Sequence, residues 1–596
     1  MLLRALLTTS KSVLALSCLA AMFSISAMAQ GGGGASVSAS PPAENKTLSP
    51  REELENKVRK SLKSPPEFVV SVSEFINKYP YSERAASYLY SLSRVIKDVK
   101  DAEASRGLVN QLVRNTEQTP EPLKSEIYRR SADALFGKGL FEDSALLSKK
   151  AINLFDDDGY LEFKQKQHEF TMAELTARNP KYKPRPFDRE RTRGFYVGTK
   201  TDVYNLLGKS LWELGKIDQA EKAYRDSLAI RMSKNAALGI ARASERNGRD
   251  AEALEYAAAA VLTGKADPEE EQYFRSLYHK LHPGKTEDIE DYLDALFKKG
   301  YSNPVRSEKY RATAKRSDRA VLAEFITGAG CVPCIPVDYT FETALKDYSP
   351  KELVLLVYHW HAPTWDPLGN YSSDSRVKYY GINSAPTVIL NGKKSEKEGD
   401  YYGSDGEQNE IYEIAKGLNE EIRSELEVPA NAQIKLRAKR DNQFVNVNVT
   451  ADRMKNTSDD VSLQIALVEN EVTYSGENGL RFQLMVVRAL AGDNEKRIFG
   501  FKVDPSKANK VNYVFDVNKI VEQNLRYYDS YPVERMEELR KIWGGSGPEG
   551  FKVEFKYKKH QINPGNLSVV VFLQDYKTKK ILQSSSVNLV SGKNSE

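Results

Sequence analysis

Cysteine is scarce, with three residues in a chain of 596. That count excludes a disulfide framework as the main source of stability and leaves the chain to hydrophobic cores, of which this length needs several. Charge of one sign is also missing: 87 Lys and Arg stand against 82 Asp and Glu, a net +5. So even a balance lacks the electrostatic footprint of a nucleic-acid binder. Beyond the first thirty residues no apolar run reaches bilayer length, and the richest, Leu353 to Tyr358, suits a buried strand.

What is there begins with Arg4 and Lys11, an apolar and small-residue run from Ser12 to Ala27, and Ala27-Met28-Ala29 before Gln30. These are the three parts of a secretory leader, so residues 1–29 are expected to be cleaved after Ala29 and the mature chain exported and soluble. Cleavage removes Cys18 and leaves Cys331 and Cys334, which within one chain can bond only each other. Residues 30–50, rich in Gly, Ala, Ser and Pro, read as a disordered tether.

From 51 to 304 the spacing of Ala, Leu and Tyr predicts helices. Within it, Tyr204, Leu207, Gly208, Leu211, Gly215, Ile217, Ala220, Tyr224 and Leu228 resemble the tetratricopeptide repeat. The same template falls on Tyr128, Ala132, Leu135, Gly139, Phe141, Ser144, Ser148 and Ala151, and more loosely on Ile240, Ala241, Gly248, Ala253 and Ala260. The resemblance implies a short helical solenoid that binds a protein partner; helices that merely pack on the next domain are the alternative. A basic, Pro-rich insertion, Asn179 to Arg193, interrupts the array.

Residues 305–428 carry the chemistry. A strand, Ala320 to Ile326, is followed by Thr327-Gly-Ala-Gly330, then Cys331-Val-Pro-Cys334, then a helical stretch from Val337 to Tyr348. At a helix N-terminus the unpaired N–H groups and positive dipole end stabilise a thiolate, which favours Cys331 as a nucleophile. A second strand, Glu352 to Tyr358, a long loop to about Arg376 and a hairpin at Pro386-Thr-Val-Ile-Leu-Asn-Gly392 follow.

Cys331, Cys334 and the Pro386 motif together resemble the thioredoxin family. The resemblance implies an α/β domain with a cis Pro386 facing the cysteine pair, and catalysis by Cys331, Cys334, Pro386 and Glu324. Cys331 would attack a disulfide, Cys334 would resolve the mixed disulfide, and Glu324, a counterpart of the family's buried carboxylate, would pass protons to Cys334. One extra residue separates Glu324 from the cysteines and Glu stands for Asp, so a strand-end carboxylate with no proton role is the alternative. His359 and His361, on one face of the second strand, could join both cysteines around a metal, but are expected to shape the rim of the site; neither metal nor cofactor is expected.

Gln408 to Glu425 reads as a closing helix. Alternating segments in 429–596, including Phe444 to Val449, Val461 to Val468, Leu484 to Leu490, Phe551 to Tyr557 and Leu567 to Leu573, predict an antiparallel β-sandwich with a helical insertion near Val533 to Ile542. The expectation for the whole is a multidomain periplasmic thiol–disulfide oxidoreductase acting on protein thiols or disulfides, with a possible membrane-borne electron donor and no nucleic-acid partner. A non-catalytic interaction protein with a structural or redox-sensing disulfide is the competing class. The direction of electron flow is not written in the residues.

Overall fold

A computed structural model describes residues 49–285, 288–397, 407–493, 496–545 and 551–589; the expected leader, residues 1–29, and nearly all of the expected tether, residues 30–50, lie outside them. The described chain divides into two compact units, residues 49–261 with 266–291, and residues 262–265 with 292–589. Among the described residues no helix is long and apolar enough to cross a membrane.

The first unit is helical: α1 (Pro50–Ser61), α2 (Pro65–Lys78), α3 (Glu83–Asp98), α4 (Ala102–Asn115), α5 (Glu121–Phe136), α6 (Phe141–Ile152), α7 (Asp157–Arg178), α8 (Arg189–Glu213), α9 (Ile217–Ile230), α10 (Lys234–Arg246), α11 (Asp250–Leu262) and α12 (Pro268–Leu281), with α13 (Ile289–Gly300) following. Its starts are capped from the sequence. Ser49 and Glu52 form a reciprocal capping box on α1, and Asp188 accepts from Arg191 N–H at 2.8 Å on α8.

The repeat is visible in its turns. Gly139, Gly215 and Gly248 all have φ near +70°, where a side chain would be strained. After each glycine the next N–H reaches back five residues, Leu140 to Leu135, Lys216 to Leu211 and Arg249 to Ser244, at 2.8–3.0 Å. Three helical hairpins, α5/α6, α8/α9 and α10/α11, therefore share one way of turning. The Tyr224 ring fills the space that a side chain at Gly208 of α8 or Gly239 of α10 would need. The 179–193 insertion is irregular only to 188; its end extends α8 to 25 residues.

The second unit is built on β1 (Val321–Thr327), α14 (Ile335–Asp347), β2 (Leu353–His359), α15 (Tyr371–Tyr380), β3 (Thr387–Leu390), β4 (Lys393–Lys394) and α16 (Glu407–Leu426). Then come β5 (Gln433–Asp441), β6 (Phe444–Asp452), β7 (Val461–Thr473), β8 (Phe482–Leu490), β9 (Gly492–Asp493), β10 (Ile498–Phe499), β11 (Phe501–Val503), β12 (Asn509–Asp516), α17 (Val517–Trp543), β13 (Leu567–Asp575) and β14 (Ile581–Asn588). One mixed sheet runs β14-β13-β7-β8-β2-β1-β3-β4; β1 and β2 are parallel and β1 and β3 antiparallel.

Both faces of its centre are buried. Val321, Ala323, Phe325, Leu355 and Val357 pack with α14, α16 and both cysteines, whereas Leu322, Ile326, Leu356 and Tyr358 pack with α15. A second sheet, β12-β6-β5, packs its apolar side on β7 and β13.

Several expectations need correction. A sandwich of two sheets exists, but its larger sheet is the sheet of the CxxC segment, joined where β8 pairs with β2 at Val357↔Val486, so the boundary expected at 428/429 falls inside one hydrogen-bonded layer. Phe551 to Tyr557 is not a strand: Phe555 packs on Tyr527, Tyr528 and Tyr531 of α17, and just beyond it the Lys559 and Gln561 carbonyls take the Arg488 guanidinium rather than a ladder partner. The insertion helix is 27 residues long and carries Pro532 inside it. The loop after β2 ends at Asn370, whose side chain caps α15.

Candidate redox site

The site grows from the end of β1. Gly328 and Gly330 let the chain turn tightly: a side chain at Gly328 would strike the Ala362 and Trp360 carbonyls, and one at Gly330 the Thr364 hydroxyl. Cys331 then starts a 3₁₀ turn, Val332–Cys334, that runs directly into α14. Cys331 and Cys334 form a disulfide. Ala385-Pro386 is a cis peptide bond just before β3, and Ala385 packs on the cluster that contains both cysteines. Ala362-Pro363 is a second cis bond, which the sequence did not announce.

Neither sulfur residue is open to water: Cys331 is 2% and Cys334 0% exposed. The connection between β7 and β8 lies against the turn that precedes the two cysteines. There Asn478 N–H donates to the Ala329 carbonyl at 3.0 Å, and a side chain at Gly476 would collide with that same oxygen.

Glu324 is not with the cysteines. It sits on β1 between Phe325 and Ala323, which face them, and therefore points to the other side of the sheet. There its carboxylate takes Arg376 Nε and Nη2 at 2.9 and 2.7 Å and the Tyr380 hydroxyl at 2.6 Å. Alternation along the strand fixes this, since residues one position apart face opposite sides of the sheet.

His359 and His361 also part company. His361 Nδ1 accepts from Asp366 N–H at 3.0 Å and Nε2 bonds the Tyr527 hydroxyl at 2.7 Å, in an aromatic cluster with Trp365, Tyr531 and Phe555. Burial pushes its pKa down to about 4. His359, paired with Thr327 across β1 and β2, shares the cysteine face by alternation. Among the described residues no three metal-ligating side chains converge.

Sequence reasoning missed Asp366. Its Oδ2 bonds His359 Nδ1 at 3.1 Å and accepts the Ala329 N–H at 2.5 Å, while Oδ1 accepts from Leu368 N–H at 2.8 Å. Burial opposes its ionisation, but the His359 ring and the two N–H groups hold the carboxyl below its ordinary range. It also missed Asp338, one turn past Cys334, whose Oδ2 is buried without a partner and which lines a cavity of about 30 Å³ with Phe325, Leu355 and Val357. Burial, then the charge of Glu342, pushes that carboxyl well up. Asp366 lies in a loop rich in Gly, Trp and Pro, where a lone carboxylate carries no sequence signal of such contacts.

No protein-family model and no curated protein matches the chain. Among solved structures, the TPR2AB-domain:pHSP90 complex of yeast Sti1 is 14% identical, with 42% of this chain and 98% of that one covered and a TM-score of 0.14. The Pseudomonas fluorescens alkylpurine DNA glycosylase AlkC, bound to DNA containing an abasic site analog, is 10% identical over 71% of this chain and 97% of that one, also at 0.14. Superpositions this poor define no shared activity.

Proposed function

We propose that the chain is an exported thiol–disulfide oxidoreductase whose second unit carries a thioredoxin-like centre. The observation that carries this reading is the Cys331–Cys334 disulfide at the start of α14, reached from β1, with β2 parallel and β3 antiparallel beside it and cis Pro386 leading into β3. In the reduced protein the Cys331 thiolate attacks a protein disulfide, and Cys334 then attacks Cys331 and frees the reduced product. Run backwards, the same steps oxidise a dithiol. The helical hairpins, which resemble tetratricopeptide repeats, hold a protein partner, and the leader directs the chain to the periplasm, where a membrane-borne donor would keep the pair reduced.

One observation favours a second reading, a structural or redox-sensing disulfide in an interaction protein: both cysteines are buried. Reduction potential separates the two. A trap with Cys334→Ser and an insulin-reduction assay test the first; absence of trapped partners and of turnover, together with a very low potential, would leave only the second.

A further inference from the structure

The sheet β12-β6-β5 packs one face on β7 and β13 and turns the other to solvent. Alternation assigns the residues: on β6, Val445, Val447 and Val449 are buried inward, whereas Asn446 and Asn448 are exposed outward. Lys435, Arg437 and Lys439 of β5 and Lys510, Asn512 and Val514 of β12 are exposed in the same alternation. The register then sets them in rows. Lys435 lies opposite Thr450 and Thr450 opposite Lys510; Arg437 lies opposite Asn448 and Asn448 opposite Asn512; Lys439 lies opposite Asn446 and Asn446 opposite Val514.

Those three rows present four cations and three carboxamides with no carboxylate among them. The aspartates of this face stand at its ends, Asp452 beyond the first row and Asp441 and Asp516 beyond the last. Among the described residues none of the four cations is held in an ion pair. Cations on β5 recur every second residue, about 7 Å apart, and neighbouring strands stand about 5 Å apart, so charges and amides form a regular flat grid. Charge on the edge strands β5 and β12 also discourages pairing with another chain. That role leaves Asn446 and Asn448 unexplained, because β6 is the middle strand and asparagine is depleted in strands. What an exposed amide adds there is a donor and an acceptor on one side chain, the complement of a hydroxyl group.

We infer that this face binds an acidic polysaccharide, with carboxylates on the Lys and Arg side chains of β5 and β12 and hydroxyls on the amides of Asn446, Asn448 and Asn512. An anionic bilayer or a phosphate backbone is held chiefly by cations. A chain of uronic acids carries a carboxylate and free hydroxyls on every sugar, and each of the rows through Arg437 and Lys439 sets a cation beside an amide. The inference stands on this sheet alone and holds whether or not the cysteines exchange electrons.

The test follows the fluorescence anisotropy of labelled polygalacturonate titrated at low salt with the chain from Gln30 onward. Replacing Arg437→Gln together with Lys439→Gln is expected to weaken binding about tenfold and to flatten its salt dependence. Asn446→Ala together with Asn448→Ala should weaken it about fivefold and leave the salt dependence as in wild type. Phosphatidylglycerol vesicles and duplex DNA should bind more weakly and respond to the charge variant alone. Three results overturn the inference: no binding of polygalacturonate by the wild type, binding indifferent to the Asn changes, or vesicles or DNA bound as tightly as the polysaccharide. Near-ultraviolet circular dichroism checks that each variant folds. Should the Asn variant not fold, polyacrylate of matched charge decides, since it has carboxylates and no hydroxyls: it should bind the wild type about fivefold more weakly than polygalacturonate, and equal binding overturns the inference.

Discussion

Replacing Arg376 with Met removes the centre of a buried polar network and leaves its other members in place. The guanidinium gives Nε and Nη2 to Glu324 Oε1 and Nη1 to Gln574 Oε1 at 2.9 Å, and it faces Tyr380 and Phe572. Without it, the fully buried Glu324 carboxylate loses its cationic partner and keeps the Tyr380 hydroxyl at 2.6 Å, and Gln574 loses a donor. Breaking a buried pair in this way costs about 3–5 kcal/mol, and one unsatisfied amide oxygen adds about 1 kcal/mol. Removing both charges, as in Glu324→Leu with Arg376→Met, should recover most of that loss, because two apolar side chains need no partners. Urea unfolding followed by near-ultraviolet circular dichroism gives each midpoint and slope. A single variant that loses under about 1 kcal/mol, or a double variant as weak as the sum of the singles, refutes the network's assignment. The same variants bear on chemistry: since Glu324 faces away from the cysteines, Glu324→Gln should leave the pH dependence of thiol exchange unchanged.

Three other outcomes are expected. Gly476→Ala should prop the β7–β8 connection off the Ala329 carbonyl and speed reduction of the disulfide by dithiothreitol about tenfold, the effect of an opening made about 1.4 kcal/mol easier; an unchanged rate would show that this connection does not limit access. Asp374, pushed by burial up to about 6, stabilises the fold fully below about pH 4 and loses that contribution as pH rises through 6, whereas His361, pushed down to about 4, contributes above about pH 6.5 and loses it as pH falls through 4. The two oppose each other between, so Asp374→Asn should make stability fall more steeply from pH 7 to 4 than in wild type, by roughly 3 kcal/mol; parallel urea midpoints would contradict this. Finally, a fragment of residues 305–428 should fail to give a cooperative thermal transition, because it strips β8 from the edge of β2 and exposes Leu356 and Tyr358; a soluble, cooperatively melting fragment would show the sheet to be self-sufficient.

The parts legible in the sequence were those written at short range. Glycines at helix turns, the strand before CxxC and the Pro-Thr hairpin each occupy fewer than about fifteen residues, and each needs a particular backbone. Side-chain direction on β1 was not legible, since both faces are buried and Leu322, Ala323, Phe325 and Ile326 give no alternation from which to read where Glu324 points. Nor was the pairing of β8 with β2, which joins residues more than a hundred positions apart by one ladder step. The helical insertion expected near Val533 to Ile542 proved longer, because α17 runs through Pro532, with tyrosines packed around Phe555 on either side of it.

Asp366 also ties the chemistry to a distant part of the chain. One carboxylate clasps the turn ahead of the first sulfur and the stretch after β2, and in that stretch the Pro367 carbonyl is held by the Tyr528 hydroxyl of α17. Two hydrogen-bonded links thus join the cysteine turn to a helix of 27 residues whose far end carries Ile542 into solvent.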